Sequence, residues 1–547
     1  MSNRSKLKPH KGPVGRLFIP LSRRSRPSSI QDSKSKIENF AEGGNSYSQI
    51  LRSSSIIGGA SGISYIIGMV RTKVVAVLLG PSGVGLVGLY VSITGLFSTI
   101  AQLGIAQSGV REVAEANGSG DSERVARMVK TLRRACWFTG ILGWILTAVL
   151  AWPVSQWTFG SPERMWAVVV LGATVFLGAV TGGQTALLQG MRRIGDLARI
   201  QVLSAIVTTL VAVGLYAWLG EKGIIPVIIF TSVIQLGFSW LFSRRIQLAH
   251  VPQSWAESAR QSKQLIRLGA AFVTSGLIGA IVGLGLRALI VRYHGLEGAG
   301  LYQAAWGLSG MFGGFIITAM GTDYYPRLTA VISNHEQASA LLNQQTEIGV
   351  LLALPGLLAT LALSPYFITI FYSGNFAPSS ALLNWYVGAV FCRMITFPMG
   401  FVLIAKGLGG RFTLITTAFH LTNYGVCAYL LPRYPLYSIA IANFVLAVVY
   451  IFGMRAVVGP LLSFRWSIQA KKLLGICWIL VVAGLIANLM LPIQFALGIG
   501  LFLFAVSCLV SLRGMVARLS HSHRIIHAIV KIPGFARLLG LPTVNDH

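Results

Sequence analysis

The sequence predicts an all-α integral membrane protein with about fourteen transmembrane helices, arranged as two parallel six-helix repeats plus a C-terminal helix pair. Of its 547 residues, 54% are hydrophobic and only 11% are charged, with a mean hydropathy of +0.68. An average soluble chain carries about 25% charged residues, and a water-facing surface cannot cover this much apolar area. This composition argues against a soluble enzyme, a secreted disulfide domain and a disordered chain.

The helix count follows from the length of the apolar segments. A membrane-spanning helix needs about 20 apolar residues, each rising about 1.5 Å. The predicted spans are residues 51–79, 84–109, 136–158, 165–190, 198–219, 223–243, 267–293, 299–321, 347–371, 381–405, 413–432, 436–456, 474–491 and 493–512. No long polar domain interrupts them, which argues against a large catalytic loop.

The basic residues fix the predicted orientation. Lys and Arg number 45 against 16 Asp and Glu, a net charge of +29. Of the Lys and Arg in the arms and loops, 36 lie on the side of both termini, and the opposite side carries only Arg164, Lys222 and Arg433. The positive-inside rule therefore predicts cytoplasmic termini. The same distribution accounts for the net charge without a nucleic-acid partner.

This orientation divides the chain into six predicted regions. The longest apolar run of the basic N-terminal arm, residues 17–21, is too short for a signal peptide. The C-terminal tail has apolar residues at helical spacing, and we expect it to lie on the anionic inner leaflet. The regions are a disordered basic cytoplasmic arm (1–48), an N-terminal six-helix half (49–245), a cytoplasmic linker (246–265), a C-terminal six-helix half (266–458), two extra transmembrane helices (459–512) and a basic cytoplasmic tail (513–547).

An internal repeat supports the two-half arrangement. The motif Gly80-Pro-Ser-Gly-Val-Gly-Leu86, followed by Gly95 and Phe97, recurs 215 residues later as Gly295-Leu-Glu-Gly-Ala-Gly-Leu301, followed by Gly310 and Phe312. The copies are six spans apart, an even number, so the halves should point the same way and be related by an axis along the membrane normal. The alternative is a chance recurrence of glycine-rich helix packing.

Basic residues inside the predicted spans indicate where a substrate binds. Arg71, Arg287 and Arg393 cannot easily reach the headgroups, and charge at this depth costs about 2.5–3.5 kcal/mol unless it faces water or a partner. No Asp or Glu lies in a span interior, so we expect these arginines to line a cavity that binds an anion. The alternative is that they bind helix carbonyls or loops. Secondary candidates are Lys73, Arg52 and Lys406, of which Lys73 and Arg52 lie near helix ends.

Other potential sites receive simpler interpretations. All five cysteines fall in apolar runs and are expected to be small buried hydrophobic residues without disulfide or metal roles. His521, His523 and His527 lie close together, but a solvated basic tail is the favoured interpretation over a metal site. Paired carboxylates, a Ser/His/Asp spacing and a phosphate loop are all lacking in the sequence. We therefore predict neither an enzyme nor a bound metal or cofactor.

Three motifs give the chain a resemblance to a known family. They are Leu79-Gly-Pro-Ser-Gly-Val-Gly85, Gly104-Ile-Ala-Gln-Ser-Gly-Val-Arg111 and Gly321-Thr-Asp-Tyr-Tyr-Pro-Arg-Leu328. With the six-plus-six repeat, residues 48–460 resemble the Wzx-type oligosaccharide flippases of the multidrug/oligosaccharidyl-lipid/polysaccharide (MOP) transporter superfamily. The resemblance implies a V-shaped bundle that works by alternating access, with cavity arginines on the first helix of each half, where Arg71 and Arg287 stand. That family has twelve spans, whereas the related lipid II flippases have two more.

The resemblance implies a flippase that moves undecaprenyl-diphosphate-linked oligosaccharide units from the cytoplasmic to the outer leaflet of the bacterial inner membrane, for polysaccharide or O-antigen biosynthesis. Expected partners are the lipid-linked saccharide, membrane lipids, and the polymerase and glycosyltransferases of the same pathway. Coupling to protons or sodium stays open. One alternative is a MATE-like drug or cation antiporter, which would need an intramembrane carboxylate. The other is a membrane polysaccharide polymerase or ligase, which would need a sizeable outer loop.

Overall fold

All regular structure in the described part of the chain is helical. The computed structural model describes the backbone of residues 29–249, 251–516 and 518, and side chains from Gly58 on except at residues 264, 267–272, 275, 312, 315–316 and 318–323. The helices are α1 (Ser29–Gln102), α2 (Ile105–Gly118), α3 (Ser122–Val149), α4 (Ala151–Phe159), α5 (Met165–Gly190), α6 (Ile194–Leu219), α7 (Ile224–Ser243), α8 (Trp255–Val331), α9 (His335–Ala362), α10 (Ser364–Phe371), α11 (Ser379–Ala405), α12 (Gly409–Leu430), α13 (Ser438–Leu462), α14 (Ile468–Met490) and α15 (Ile493–Val516). The all-α membrane fold is confirmed.

The described apolar helical segments are fewer than the predicted spans when a segment that contains a backbone break is counted as one. Within the described ranges, nine are long and apolar enough to cross a membrane, or ten if α3 and α4, which bend by 57° at their junction, form one span. Three of the nine, Gly58–Gln102, Ile194–Ser243 and Gly276–Met311, contain a backbone break and hold 36 to 50 residues. A bilayer core of about 30 Å needs only about 20 residues. The count of fourteen stays a prediction.

Several helices extend beyond the spans that apolar content predicted. Asp121 accepts a hydrogen bond from the Arg124 amide (2.9 Å) and starts α3 well before residue 136. Ser254 and Glu257 form a capping box, so α8 begins at Trp255, and the predicted linker 246–265 is helical over its second half. Polar caps and amphipathic turns continue these helices past the apolar boundary.

The terminal regions are only partly described. Residues 1–28 of the predicted basic arm lie outside the described residues, as do the tail after residue 518 and the tail histidines His521, His523 and His527. The backbone of residues 29–48 is helical as the first part of α1. The described residues up to Ile56 form one unit and those from Ile57 on form another. The arm and the tail stay predictions.

The two copies of the sequence repeat produce the same break in two long helices. Gly80 interrupts α1 with φ 63° and ψ −170°, and Gly295 interrupts α8 with φ 67° and ψ −175°. Only glycine adopts this combination without severe strain. The two breaks are 215 residues apart, the offset of the sequence repeat.

The two breaks also pack against each other. A Cβ atom built on Gly85 would collide with the carbonyl oxygen of Leu296, and one built on Gly300 would collide with the carbonyl oxygen of Pro81. Gly85 and Gly300 are equivalent positions of the two repeats, 215 residues apart, and so are Pro81 and Leu296. The contact is therefore two-fold symmetric. The small residues are needed because each copy of the motif receives the backbone of the other.

The last two helices pack on the C-terminal half. Gly500 of α15 approaches Ala362 of α9 so closely that a Cβ atom built on the glycine would lie 2.7 Å from the alanine Cβ. A Cβ atom built on Gly484 of α14 would lie 3.4 Å from the Cδ2 atom of Leu358 in α9. Leu480, Val481, Leu485 and Leu503 join the same hydrophobic cluster as α9 and α11. The appended pair thus enlarges the core of the C-terminal half.

Candidate functional site

Four helices of the C-terminal half enclose a cavity of about 530 Å³. We call it the C-half cavity; α8, α11, α12 and α13 form its walls, and aromatic rings cover much of them. Its polar and charged side chains include Arg287, Tyr302, Ser309, Tyr386, Arg393, Thr396, Thr416, His420, Asn423, Tyr424, Asn443 and Tyr450. An internal cavity with this mixture of aromatic and polar groups is typical of small-molecule binding sites.

Arg393 projects into this cavity from the middle of α11. It is exposed although its neighbours Cys392 and Met394 are buried, because its side chain faces the open cavity. Tyr450 of α13 and His420 of α12 lie close enough to interact with it electrostatically. Within the described part of the chain, its guanidinium group makes no hydrogen bond or ion pair. All five N–H donors are therefore available to a ligand.

Arg287 enters the cavity from α8 with part of its donors already used. Its Nη1 donates to the Gly283 carbonyl oxygen (3.1 Å) and its Nη2 to the Gln303 Oε1 (3.2 Å), and the guanidinium lies 5.4 Å from the centre of the Tyr302 ring. Its Nε is buried without a hydrogen-bond partner. The sequence analysis gave binding to a helix carbonyl as the alternative to an anion site. In Arg287 only Nη1 makes such a bond.

Negative charge is held elsewhere in the described structure. The described residues lining the C-half cavity include no Asp or Glu. The buried carboxylate of Asp196 pairs with Arg193 (2.7 Å) and Arg199 (3.2 Å), and that of Glu347 pairs with Arg518 (2.5 Å). Both acids lie at or near predicted helix ends on the side with the basic residues. The cavity therefore carries two positive charges without a negative side chain among its described walls.

Arg71 is not part of this cavity. It is half-buried in α1, close enough to Tyr216 of α6 to interact electrostatically. Arg71 precedes its helix break at Gly80 by nine residues, whereas Arg287 precedes its break at Gly295 by eight. One residue is about 100° of helix rotation, so the two arginines point in different directions from equivalent helices.

The secondary candidates also lie outside the C-half cavity. Lys73 donates to the carbonyl oxygen of Thr369 in α10 (2.6 Å) and thus links the two halves. Lys406 follows α11 and donates to the Leu461 carbonyl oxygen at the end of α13 (2.6 Å), with its Nζ 3.0 Å from the His335 Nε2. The side chain of Arg52 lies outside the described residues.

Sequence reasoning did not single out the contribution of α12. His420 and Asn423 both line the cavity from this helix. The available signal was the presence of two polar residues three apart within a predicted span, which places them on one helix face. The spacing of the histidines in the sequence bears only on metal binding and gives His420 no role.

The described apolar helices are those of a multi-pass membrane protein, and four helices of the C-terminal half enclose an internal cavity. Residues 50–331, just over half of the chain, match the family model for polysaccharide biosynthesis proteins. The chain belongs to this family. The predicted resemblance is confirmed as far as this family of polysaccharide biosynthesis proteins.

Solved structures support the same fold. The lipid II flippase MurJ in an inward closed conformation matches with a TM-score of 0.60 and 12% identity, covering 84% of this chain and 99% of that one. An inward-facing MATE multidrug transporter of the MOP superfamily matches with a TM-score of 0.59 and 17% identity, covering 75% and 95%. A MOP transporter from Pyrococcus furiosus matches with a TM-score of 0.53 and 16% identity, covering 75% and 96%. At these identities the likeness concerns the fold alone. No curated protein matches the sequence.

Proposed function

We propose that the protein is a flippase that carries undecaprenyl-diphosphate-linked oligosaccharide from the cytoplasmic to the outer leaflet of the bacterial inner membrane, with both termini in the cytoplasm. The observation that carries the proposal is the charge of the C-half cavity, in which Arg287 and Arg393 meet no described carboxylate. A diphosphate presents several oxygen acceptors in the geometry that guanidinium donors match best.

The unpaired arginine explains why an anion would bind there. A charge at bilayer depth is costly unless it faces water or is compensated by an opposite charge and hydrogen bonds. Arg393 has no such partner among the described residues, whereas Arg287 is fixed by Gly283 and Gln303. In the proposal, Arg287 supplies a rigid cation and Arg393 closes on the diphosphate. Arg71 stays a weaker candidate, for a contact in the N-terminal half.

The dimensions and the membrane potential fit the same substrate class. A volume of about 530 Å³ lies within the usual range of about 300–1,000 Å³ for small-molecule pockets. It accommodates a diphosphate and the sugar next to it, while the polyprenyl chain stays in lipid. A potential negative inside favours outward movement of an anion by about 2.3 kcal/mol per charge per 100 mV. Glycosyltransferases would supply this substrate and a polymerase would consume it.

A drug or cation antiporter is the second candidate, because MATE transporters share the fold. A cation site inside a membrane needs a negative partner, usually a carboxylate. The described walls of the C-half cavity offer positive charge instead. The cavity therefore favours an anionic substrate over a cationic drug.

Complementation of a strain that lacks the gene tests this function. We expect the double variant Arg287→Gln with Arg393→Gln to leave lipid-linked oligosaccharide in the cytoplasmic leaflet, with outward translocation reduced about 30-fold or more, as the loss of paired buried charge predicts. The readout is the sidedness of the labelled lipid-linked sugar, at matched membrane levels of each protein.

Arg433→Gln is the matched control. Arg433 is an exposed arginine on the predicted outer side whose Nη1 donates only to the Tyr429 carbonyl oxygen of its own helix (2.9 Å). We expect wild-type translocation in this variant. Normal translocation by the double cavity variant would overturn the proposed function.

A further inference from the structure

His420 brings an ionisable group to the cavity that no sequence motif indicated. It lies on α12, with its ring 5.8 Å from that of Phe419, and its Nε2 is 3.9 Å from the position of a Cβ atom on Gly279 of α8. Arg393 of α11 is close enough to interact with it electrostatically. His420 thus faces the same space as the arginine proposed to bind the diphosphate.

The other ionisable groups of the cavity keep one charge state near neutral pH. Arginine stays protonated, while tyrosine and cysteine are ordinarily neutral there. Histidine is the side chain whose ordinary charge change falls between pH 5 and 8. The other titratable groups that line the cavity are Arg287 and Tyr302 from α8, Tyr386, Cys392 and Arg393 from α11, Tyr424 and Cys427 from α12, and Tyr450 from α13.

The position of His420 couples its charge to an anion. In the empty cavity, a protonated imidazole would add a further positive charge near Arg393, and repulsion between like charges opposes this. A diphosphate between the two groups reverses the balance, because it attracts both cations and accepts a hydrogen bond from the imidazolium. Anion and proton then favour each other's binding by the same factor, as linkage requires.

We propose that His420 is a diphosphate ligand that takes up one proton when the anion binds, so that the bound diphosphate is held by two arginines and an imidazolium. This inference rests on the proposed function and deepens it. It adds a proton to the bound complex, which makes the complex one unit less negative than the diphosphate and the two arginines alone.

Binding of inorganic diphosphate to the purified full-length protein tests the inference. Calorimetric titrations at pH 6.0 and 7.5, in buffers of different ionisation enthalpy, give both the affinity and the number of protons taken up. The ratio of wild-type to His420→Gln affinity is expected to be about tenfold larger at pH 6.0 than at pH 7.5. Protonation of the ligand itself is identical in the two titrations and cancels in this ratio.

Two further variants and the wild-type protein complete the test. His420→Asn should reproduce the His420→Gln result, and His335→Gln, an exposed histidine next to Lys406, should keep the wild-type pH profile. Wild-type protein should take up about one more proton per bound anion than His420→Gln. Equal pH profiles, or wild-type uptake no larger than ligand ionisation alone explains, would overturn the inference. Absence of diphosphate binding by the wild-type protein at both pH values would instead contradict the proposed function.

Discussion

The two halves of this protein share a helix break but differ in the chemistry around it. Gly80 and Gly295 adopt nearly the same backbone angles in α1 and α8, and the flanking motifs receive each other's backbone in a two-fold contact. Arg287 and Arg393 line a cavity of the C-terminal half, whereas Arg71 of the N-terminal half is not among its lining residues. The repeat thus preserves the helix break and its packing, while the arginines of the two halves occupy different surroundings.

The arginines of the two first helices show how a small difference produces this asymmetry. Arg71 and Arg287 differ by one residue in their distance from the break, which turns one side chain by about 100° relative to the other. Arg287 consequently faces the C-half cavity, while Arg71 lies near Tyr216 of its own half. Equivalent helices do not imply equivalent sites.

The largest effect is expected from crowding the symmetric contact. Gly85→Ala and Gly300→Ala each place a Cβ atom against a backbone carbonyl of the opposite copy, a group that cannot rotate away. Overpacking of this kind costs about 1–3 kcal/mol, and more against backbone. We expect both variants to lower the apparent melting temperature of the detergent-purified protein and to impair transport to a similar extent.

A matched glycine of the same helix gives the control. Gly95 belongs to the same repeat, but a Cβ atom there meets nothing within 4 Å. Gly95→Ala should leave stability unchanged or raise it by up to about 1 kcal/mol, because alanine favours helix. Equal melting temperatures for Gly85→Ala, Gly300→Ala and Gly95→Ala would show that the two-fold contact does not limit stability.

Sequence reasoning reached the fold because lipid imposes strict rules on composition and length. The apolar segments and the recurring glycine motif predict an all-α membrane bundle with two repeats. The structure and the structural comparisons confirm the helical fold, and the two helix breaks lie at the offset of the sequence repeat. The limits of α3 and α8 were less accessible, because caps such as Asp121 and Ser254 continue helices into polar sequence that hydropathy alone assigns to loops.

The site was only partly accessible for a geometric reason. An arginine inside a predicted span that lacks an acidic partner can be recognised from the sequence, and Arg287 and Arg393 do line one cavity. Whether an arginine faces a cavity depends on its angle about the helix axis and on the neighbouring helices. Neither quantity can be read from the sequence. The sequence therefore did not reveal that Arg71 and Lys406 lie outside the C-half cavity, or that His420 lines it.

A smaller effect is expected at the polar link between the halves. Lys73→Met removes the hydrogen bond to the Thr369 carbonyl oxygen. Because this contact is exposed, its loss should cost only about 1 kcal/mol. The apparent melting temperature should fall slightly, whereas Lys222→Met, at an exposed lysine in the turn Gly220–Gly223, should cause no change. A drop as large as that of Gly300→Ala would make Lys73 a principal link between the halves.

Diphosphate binding to single arginine variants of the purified protein tests the asymmetry of the two halves most directly. We expect Arg393→Gln to weaken binding about 30-fold or more, because it removes a charged donor that the bound anion would pair with away from water. Arg71→Gln should weaken binding by less than about threefold, the residual effect of a distant charge. Equal losses in both variants, or full affinity in Arg393→Gln, would contradict the assignment of the anion site to the C-terminal half.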